Sequence, residues 1–195
     1  AKILENGIFK EFLIDNINYS IKAFNKLFKK EQFQEGFVLY RKYSRKDVFR
    51  ILNWKTNPVA QNVGGYIISP DKSNCPIFVT YHKEEDISNS TKYEDRFISN
   101  SVFEWLSKSK RTLISPDVKA IMNYKSGLRL PLFIKKNNDE GTEFYYMGEV
   151  QPLPFEDSFE QTSMLNNKDK PVSVVKVKFS LHPPVEDSIY EYITQ

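Results

Sequence analysis

The sequence predicts an α+β fold built on a curved antiparallel sheet or pseudobarrel, with flanking helices and an N-terminal helical segment. Three observations predict it. Apolar residues at spacings of three and four open the chain, strands of unequal length with period-2 alternation follow, and short capped helices fall between those strands.

Phe9, Phe12, Leu13, Ile17, Ile21, Phe24, Leu27 and Phe28 share one helical face, so residues 8–30 read as an amphipathic helix. Ser44, with Asp47 three positions on, is the capping signature of a second helix that buries Val48, Ile51 and Leu52 and is ended by Pro58. These two helices define a coupler over residues 1–58, packed on a second domain over 59–195. That domain opens with a hairpin: residues 64–68, the turn Ser69-Pro70-Asp71-Lys72, and residues 75–82, where Ile77, Val79 and Tyr81 alternate with Phe78, Thr80 and His82. Residues 83–100 are rich in Asp, Ser, Asn and Thr and read as a long loop, anchored by Ile87, Tyr93, Phe97 and Ile98. Short helices are expected over 101–107 and over 115–123, the latter capped by Ser115 with Pro116 in its first turn. Residues 130–135 and 143–150 form a second hairpin around 137–141, residues 171–181 another strand, and residues 186–193 a closing helix.

Hydrophobic residues make up 40% of the chain and aromatics 14%, which excludes a mostly disordered protein. A mean hydropathy of −0.51 without a long apolar run excludes a helical membrane span, and a cytoplasmic location is expected. The chain starts Ala1-Lys2 without a signal segment and reads as a piece of a longer protein. One cysteine, Cys75, and two histidines, His82 and His182, argue against a disulfide or a structural zinc site, so no metal or cofactor is expected. The net charge of +3 is too mild to identify a partner, but it is unevenly spread. Residues 37–55 carry six bases against Asp47 alone, whereas residues 139–160 carry seven acids and no base. That segregation predicts one face suited to phosphate and another that repels it.

The loop that follows the 75–82 strand combines aromatics, carboxylates and bases, the composition of a recognition site on a scaffold. Around it, Tyr81-His82-Lys83, Thr91-Lys92-Tyr93-Glu94-Asp95-Arg96-Phe97, Phe103-Glu104-Trp105 and Ser107-Lys108-Ser109-Lys110-Arg111-Thr112 resemble a domain of unknown function that follows superfamily-two helicase domains. Tyr43-Ser44-Arg45-Lys46-Asp47-Val48 and Leu52-Asn53-Trp54 resemble the start of the same domain. It often accompanies a phospholipase-D-type nuclease as well, as in SauUSI-like ATP-dependent Type IV restriction enzymes, which cut DNA bearing methylated or hydroxymethylated cytosine. The resemblance spans residue 37 to the C-terminus and is most specific in its middle third. It implies an SRA-like target-recognition domain that extrudes a modified base, with modified double-stranded DNA and the helicase and nuclease domains of the parent chain as partners. A homodimer of the full-length protein stays open.

Base extrusion requires aromatic faces to replace lost stacking, and Tyr66, Tyr81, Tyr93 and Trp105 are the candidates. Tyr81 and Trp105 read equally as core residues. A carboxylate accepts from the exocyclic amine of cytosine, which nominates Glu94 or Asp95, with His82 as a base-edge donor or a plain strand residue. Surface pairing of Asp95 with Arg96, or of Glu94 with Lys92, is the competing explanation. Ser107, Lys108, Ser109, Lys110 and Arg111, with Lys83, Lys92 and Arg96, offer donors suited to phosphate oxygens, although a lysine-rich turn also serves solubility. No catalytic residue is assigned. Asp117 with Glu149 imitates a nuclease acid pair, but Gln151 stands where such sites carry lysine. The alternatives to a modified-base reader are a protein-interaction domain regulating the helicase and a reader of unmodified DNA sequence.

Overall fold

The computed structural model describes residues 6–27, 32–56, 58–59, 63–82, 95–165 and 170–195. They fall into two compact units, Ala1–Val38 and Leu39–Gln195. No helix among the described residues is long and apolar enough to cross a membrane.

In the first unit, helix α1 (Gly7–Leu27) starts where Asn6 Oδ1 accepts from the Phe9 N–H at 3.1 Å, an N-cap bond. Its stripe, including Ile8, Phe12, Ile17 and Ile21, is exposed. Strands β1 (Phe33–Gln34) and β2 (Phe37–Val38) form a hairpin whose turn residues Glu35 and Gly36 both have positive φ, 50° and 96°. Two positive φ values in succession give the turn the twist that a two-residue hairpin needs. Phe24 meets the Phe33 ring edge-on at 5.5 Å.

The second unit is a strongly curled half-barrel sheet with flanking helices. Strand β3 (Lys42–Ser44) leads directly into α2 (Arg45–Ile51), which Ser44 caps by accepting from the Asp47 N–H at 3.2 Å. Then come β4 (Ile77–Thr80), β5 (Arg96–Ser99), β6 (Val102–Leu106), α3 (Pro116–Met122), β7 (Pro131–Lys135), β8 (Glu143–Pro152), a single turn α4 (Phe155–Ser158), β9 (Phe159–Leu165), β10 (Pro171–Leu181) and α5 (Asp187–Thr194). The main path is β4-β7-β8-β10-β6-β5, with β3 also paired to β8 and β9 to β10. Among the described residues every ladder is antiparallel except β4 with β7, which is parallel in the register Phe78 to Phe133.

The curl has a local cause. Leu132 pairs with Gly148 and Phe133 with Tyr146, so Met147 is an extra residue on β8, and Gly148 takes φ 111° beside it. A bulge of this kind bends the strand and increases its twist. Ile98 is similarly extra between Phe97–Phe103 and Ser99–Val102.

Both faces of β4 and β7 are buried because alternate residues point opposite ways. Ile77, Val79, Leu132 and Ile134 join Trp105, Val177 and Phe179 in the main core. On the other face Phe78 stacks on Phe133 at 5.2 Å and meets Phe144 and Phe49 edge-on, so α2 covers this aromatic layer. The α2 residues that are buried are Val48 and Phe49, whereas Ile51 is exposed and Leu52 half-buried, correcting the expected trio. A seven-residue helix presents only one narrow stripe, and Phe49 occupies it.

Three further expectations change. Residues 101–107 are not helical: Val102, Phe103 and Trp105 are strong strand formers, and β6 gains a partner on each side, β5 and β10. The first hairpin narrows to a single bridge, Tyr66 to Ile77, around the turn where the Lys72 N–H donates to the Ser69 carbonyl. Charge segregation also fails at one edge, because β3 from the base-rich segment pairs with β8 from the acid-rich one, and Lys42 Nζ lies 3.2 Å from Glu140 Oε1. Arg45, another of those bases, lies over the Phe78 and Phe144 rings at 5.1 and 4.7 Å.

Glu140 ties its own turn to two distant segments. It accepts from Lys42, from the Lys136 N–H at 2.7 Å and from the Tyr192 hydroxyl of α5 at 2.5 Å.

Phe133→Ala, which opens the aromatic layer between β7 and α2, is expected to cost about 3–5 kcal/mol. A lower urea midpoint with an unchanged slope is the readout.

Candidate nucleic-acid interface

The basic turn after β6 is tied down before it reaches solvent. The Ser107 N–H donates to the Val175 carbonyl at 2.9 Å, and Ser107 Oγ accepts from the Val175 N–H at 2.8 Å, so this buried serine extends the β6–β10 ladder. The chain then turns through Lys110 at φ 63°, returns with the Arg111 N–H on the Ser173 carbonyl, and enters α3 through Ser115 and Pro116. Ser115 Oγ accepts from the Thr112 N–H at 2.9 Å, closing the loop, and makes no side-chain cap to α3.

Asp117 is the anchor of this loop. Its Oδ2 accepts from the Tyr66 hydroxyl at 2.6 Å and from Arg111 Nε at 2.7 Å. Lys108 Nζ stands 4.7 Å over the Tyr66 ring, and the Tyr66 and Trp105 rings meet edge-on at 4.9 Å. Gly64, at φ 63°, lies so close to Lys108 that a Cβ there would sit 3.3 Å from its Cε. The electrostatics follow from this packing. Burial, and then the Arg111 charge, lower the Lys108 pKa, while burial followed by the bond to Asp117 raises that of Tyr66. For Asp117 burial pushes upward, but the bonds from Tyr66 and Arg111 outweigh it and the carboxyl is held below its ordinary value. Arg111 is raised chiefly by its hydrogen bond to Asp117. Ser109 and Lys110 at the tip remain exposed. The arrangement is a fixed platform that offers an ammonium and a hydroxyl to solvent.

A second group lies at the two ends of residues 83–94. The Tyr81 and His82 N–H groups donate to the carbonyls of Lys135 and Lys136, prolonging the β4–β7 pairing. Tyr81 Oη accepts from the Phe97 N–H at 3.3 Å and its ring stacks on Phe97, while His82 Nε2 lies 3.0 Å from the Ile193 carbonyl of α5. Asp95 Oδ1 accepts from the Leu106 N–H at 2.9 Å, and Arg96 pairs across the ladder with Glu104 at 3.0 Å. Lys83, Lys92, Tyr93 and Glu94 lie outside the described residues.

Thus Tyr66, Lys108 and Arg111 come together, and Tyr81, His82, Asp95 and Arg96 form a separate set. Tyr66 and Trp105 are each 2% exposed and serve the core, Trp105 also packing on Phe179. Asp117 has no place among the sequence-derived site residues except in the rejected nuclease pair. Its partner Tyr66 is 51 positions away, and no local pattern signals so distant a bond. Glu149, the other member of that pair, is engaged by Arg129 at 2.6 Å.

The family model described as "Domain of unknown function (DUF3427)" matches residues 37–193. No curated protein matches the sequence. Among solved structures, the DNA modification-dependent restriction endonuclease AspBHI is similar in fold, with a TM-score of 0.51 at 10% identity over 80% of this chain and 44% of that one. The sulfur binding domain and SRA domain of ScoMcrA complexed with phosphorothioated DNA aligns with a TM-score of 0.47 at 9% identity, over 80% of this chain and 45% of that one. SUVH6 of Arabidopsis thaliana in complex with SAM aligns with a TM-score of 0.44 at 12% identity, over 86% of this chain and 31% of that one. The chain therefore spans less than half the length of each.

Asp117→Asn weakens the tie between α3, Tyr66 and Arg111 and is expected to cost about 1 kcal/mol at neutral pH, the low end for a charged bond because Arg111 is partly exposed to solvent. The Asp117 carboxyl titrates below its ordinary 3.8 in the fold. Its contribution is therefore complete above that value and is lost as pH falls through the depressed one. Urea midpoints of wild type and variant should converge as the pH is lowered from neutral toward 2.

Proposed function

The chain belongs to the DUF3427 family, and we propose that its domain is a DNA-binding target-recognition module for 5-methylcytosine or 5-hydroxymethylcytosine in duplex DNA. It would turn the modified base out of the stack in the service of an ATP-dependent restriction enzyme whose helicase and nuclease domains belong to the same parent chain. The observation that carries this reading is the likeness of fold to AspBHI, an enzyme named for its dependence on DNA modification. The domain itself is read as non-catalytic.

The platform after β6 supports the reading chemically. Phosphate contacts supply most of the affinity in such complexes and make it fall steeply with salt. Lys110 and Ser109 are exposed at the tip of a loop whose base is fixed by the Asp117 network, so a phosphate contact there costs little ordering. Lys108 is already engaged over Tyr66, which makes Lys110 the better phosphate ligand. Tyr93 and Glu94 keep the stacking and amine-accepting roles proposed for them from the sequence.

Fluorescence anisotropy on matched duplexes that differ in one 5-methylcytosine, at low and moderate salt, tests the reading. Tighter binding to the methylated duplex is expected. Equal binding would leave a reader of unmodified sequence or a nonspecific clamp, and no binding at either salt would favour the protein-interaction alternative.

Lys110→Ala should weaken binding to both duplexes alike and reduce the salt slope by about one. Tyr93→Ala should abolish the preference for the methylated duplex while plain-duplex binding persists. Equal loss on both duplexes would remove Tyr93 from the base site.

A further inference from the structure

Two cations share one ring on the side of β4 that faces α2. Arg45, the first residue of α2, holds its guanidinium 5.1 Å from the centroid of Phe78 and 4.7 Å from that of Phe144. Lys135 Nζ stands 5.3 Å from the centroid of the same Phe144 ring. Phe78 points away from the core that Ile77 and Val79 share with Tyr66 and Trp105, so this pair lies across β4 from the Asp117 platform.

Neither cation is neutralised. The Arg45 side chain has no hydrogen-bond or carboxylate partner among the described residues. Of its nitrogens only Nε is buried, so the Nη end of this half-buried side chain reaches solvent. Lys135 is 8% exposed and donates one N–H to the Gly141 carbonyl at 3.0 Å, which leaves two. Glu140 is already engaged by Lys42, the Lys136 N–H and Tyr192, and Asp47 by Ser44. Burial lowers the pKa of both cations, and the Arg45 charge lowers that of Lys135 further against the pull of Glu140. Ring contact occupies the face of the guanidinium, whereas its N–H groups radiate in the plane and stay available. Packing alone does not call for charge here. Apolar side chains of similar volume would serve an aromatic layer at least as well, because a buried charge without a counter-ion is destabilising.

We propose that Arg45 and Lys135 together bind one phosphate group, the guanidinium donating through its Nη edge and the ammonium through its two remaining N–H groups. Tetrahedral oxygens can reach two donors that approach from different directions, and two cations match the charge of a phosphate better than that of a single carboxylate. Exposed Lys46, next in sequence, adds to the local positive field. As a contact to a DNA backbone phosphate the site rests on the reading of the domain as a DNA reader. As a site for a free phosphate compound it stands without that reading.

Thermal melting of the chain in inorganic phosphate and in chloride, at equal ionic strength and neutral pH, tests the site. Phosphate should raise the wild-type Tm by about 3 °C. Lys135→Met should lose that rise while its Tm in chloride stays equal or increases, because the variant removes an unneutralised charge. A merely structural lysine would instead give a lower Tm in chloride. Should Lys135→Met fail to fold, Arg45→Lys decides: it keeps a charge over the rings but loses the planar fork, and should cut the rise by about half. A second arm separates the sources of phosphate. If the site holds a DNA backbone phosphate, Lys135→Met reduces the salt slope of plain-duplex binding by about one. An unchanged slope with the Tm rise lost assigns the site to a free phosphate compound. If the wild type binds no duplex, the DNA-reading function fails and the melting arm alone decides the site. A Tm rise that persists undiminished in the variant is a general salt effect and overturns the proposal, as does a wild type that shows no rise while the variant keeps its salt slope.

Discussion

Two strands hold the second unit together, and each changes neighbours along its length. β8 pairs with β3 and β7 toward its start and with β10 at its end, while β10 pairs with β9, β6 and β8. A buried strand must satisfy its backbone groups at both edges. A ten- or eleven-residue strand does so here by handing its edge from one partner to the next, which is compatible only with a sheet that bends. The bulge at Met147–Gly148 supplies that bend, and the separate aromatic and aliphatic layers of the core depend on it.

Two carboxylates then fix what the sheet leaves loose. Glu140 gathers β3, the β7–β8 turn and α5, and Asp117 gathers α3, the basic turn and the Tyr66 bridge. Each is partly buried and engaged by more than one donor, so its ionised form is favoured despite desolvation. Both join segments far apart in sequence. Such a junction positions a loop without enlarging the hydrophobic core, which suits surfaces whose side chains must stay available.

Much of the fold was legible where periodicity and punctuation agreed. The strand over 171–181, the hairpin around 137–141, the Ser44 cap and the closing helix all follow from short-range patterns. Residues 101–107 misled because the strand preference of Val102, Phe103 and Trp105 is realised only against β5 and β10. β3 and β9 escaped notice because short or polar segments take strand form only when a longer neighbour templates them. The basic turn was visible because its residues are contiguous. Asp117 as its anchor was not, since it acquires meaning from a partner that folding brings near. Charge counted along the chain misled for the same reason once β3 lay against β8.

The position of β10 also constrains how the domain can be made. It is the last strand among the described residues, yet it lies inside the sheet path, between β8 and β6. The halves it joins remain apart until residues 171–181 have been synthesised, and their unpaired edges stay open to other chains until then. Assembly of the unit is therefore close to all-or-none, with a window of vulnerability that closes only once residues 171–181 have been made. A truncation before β10 would remove the seam of the sheet rather than trim its margin.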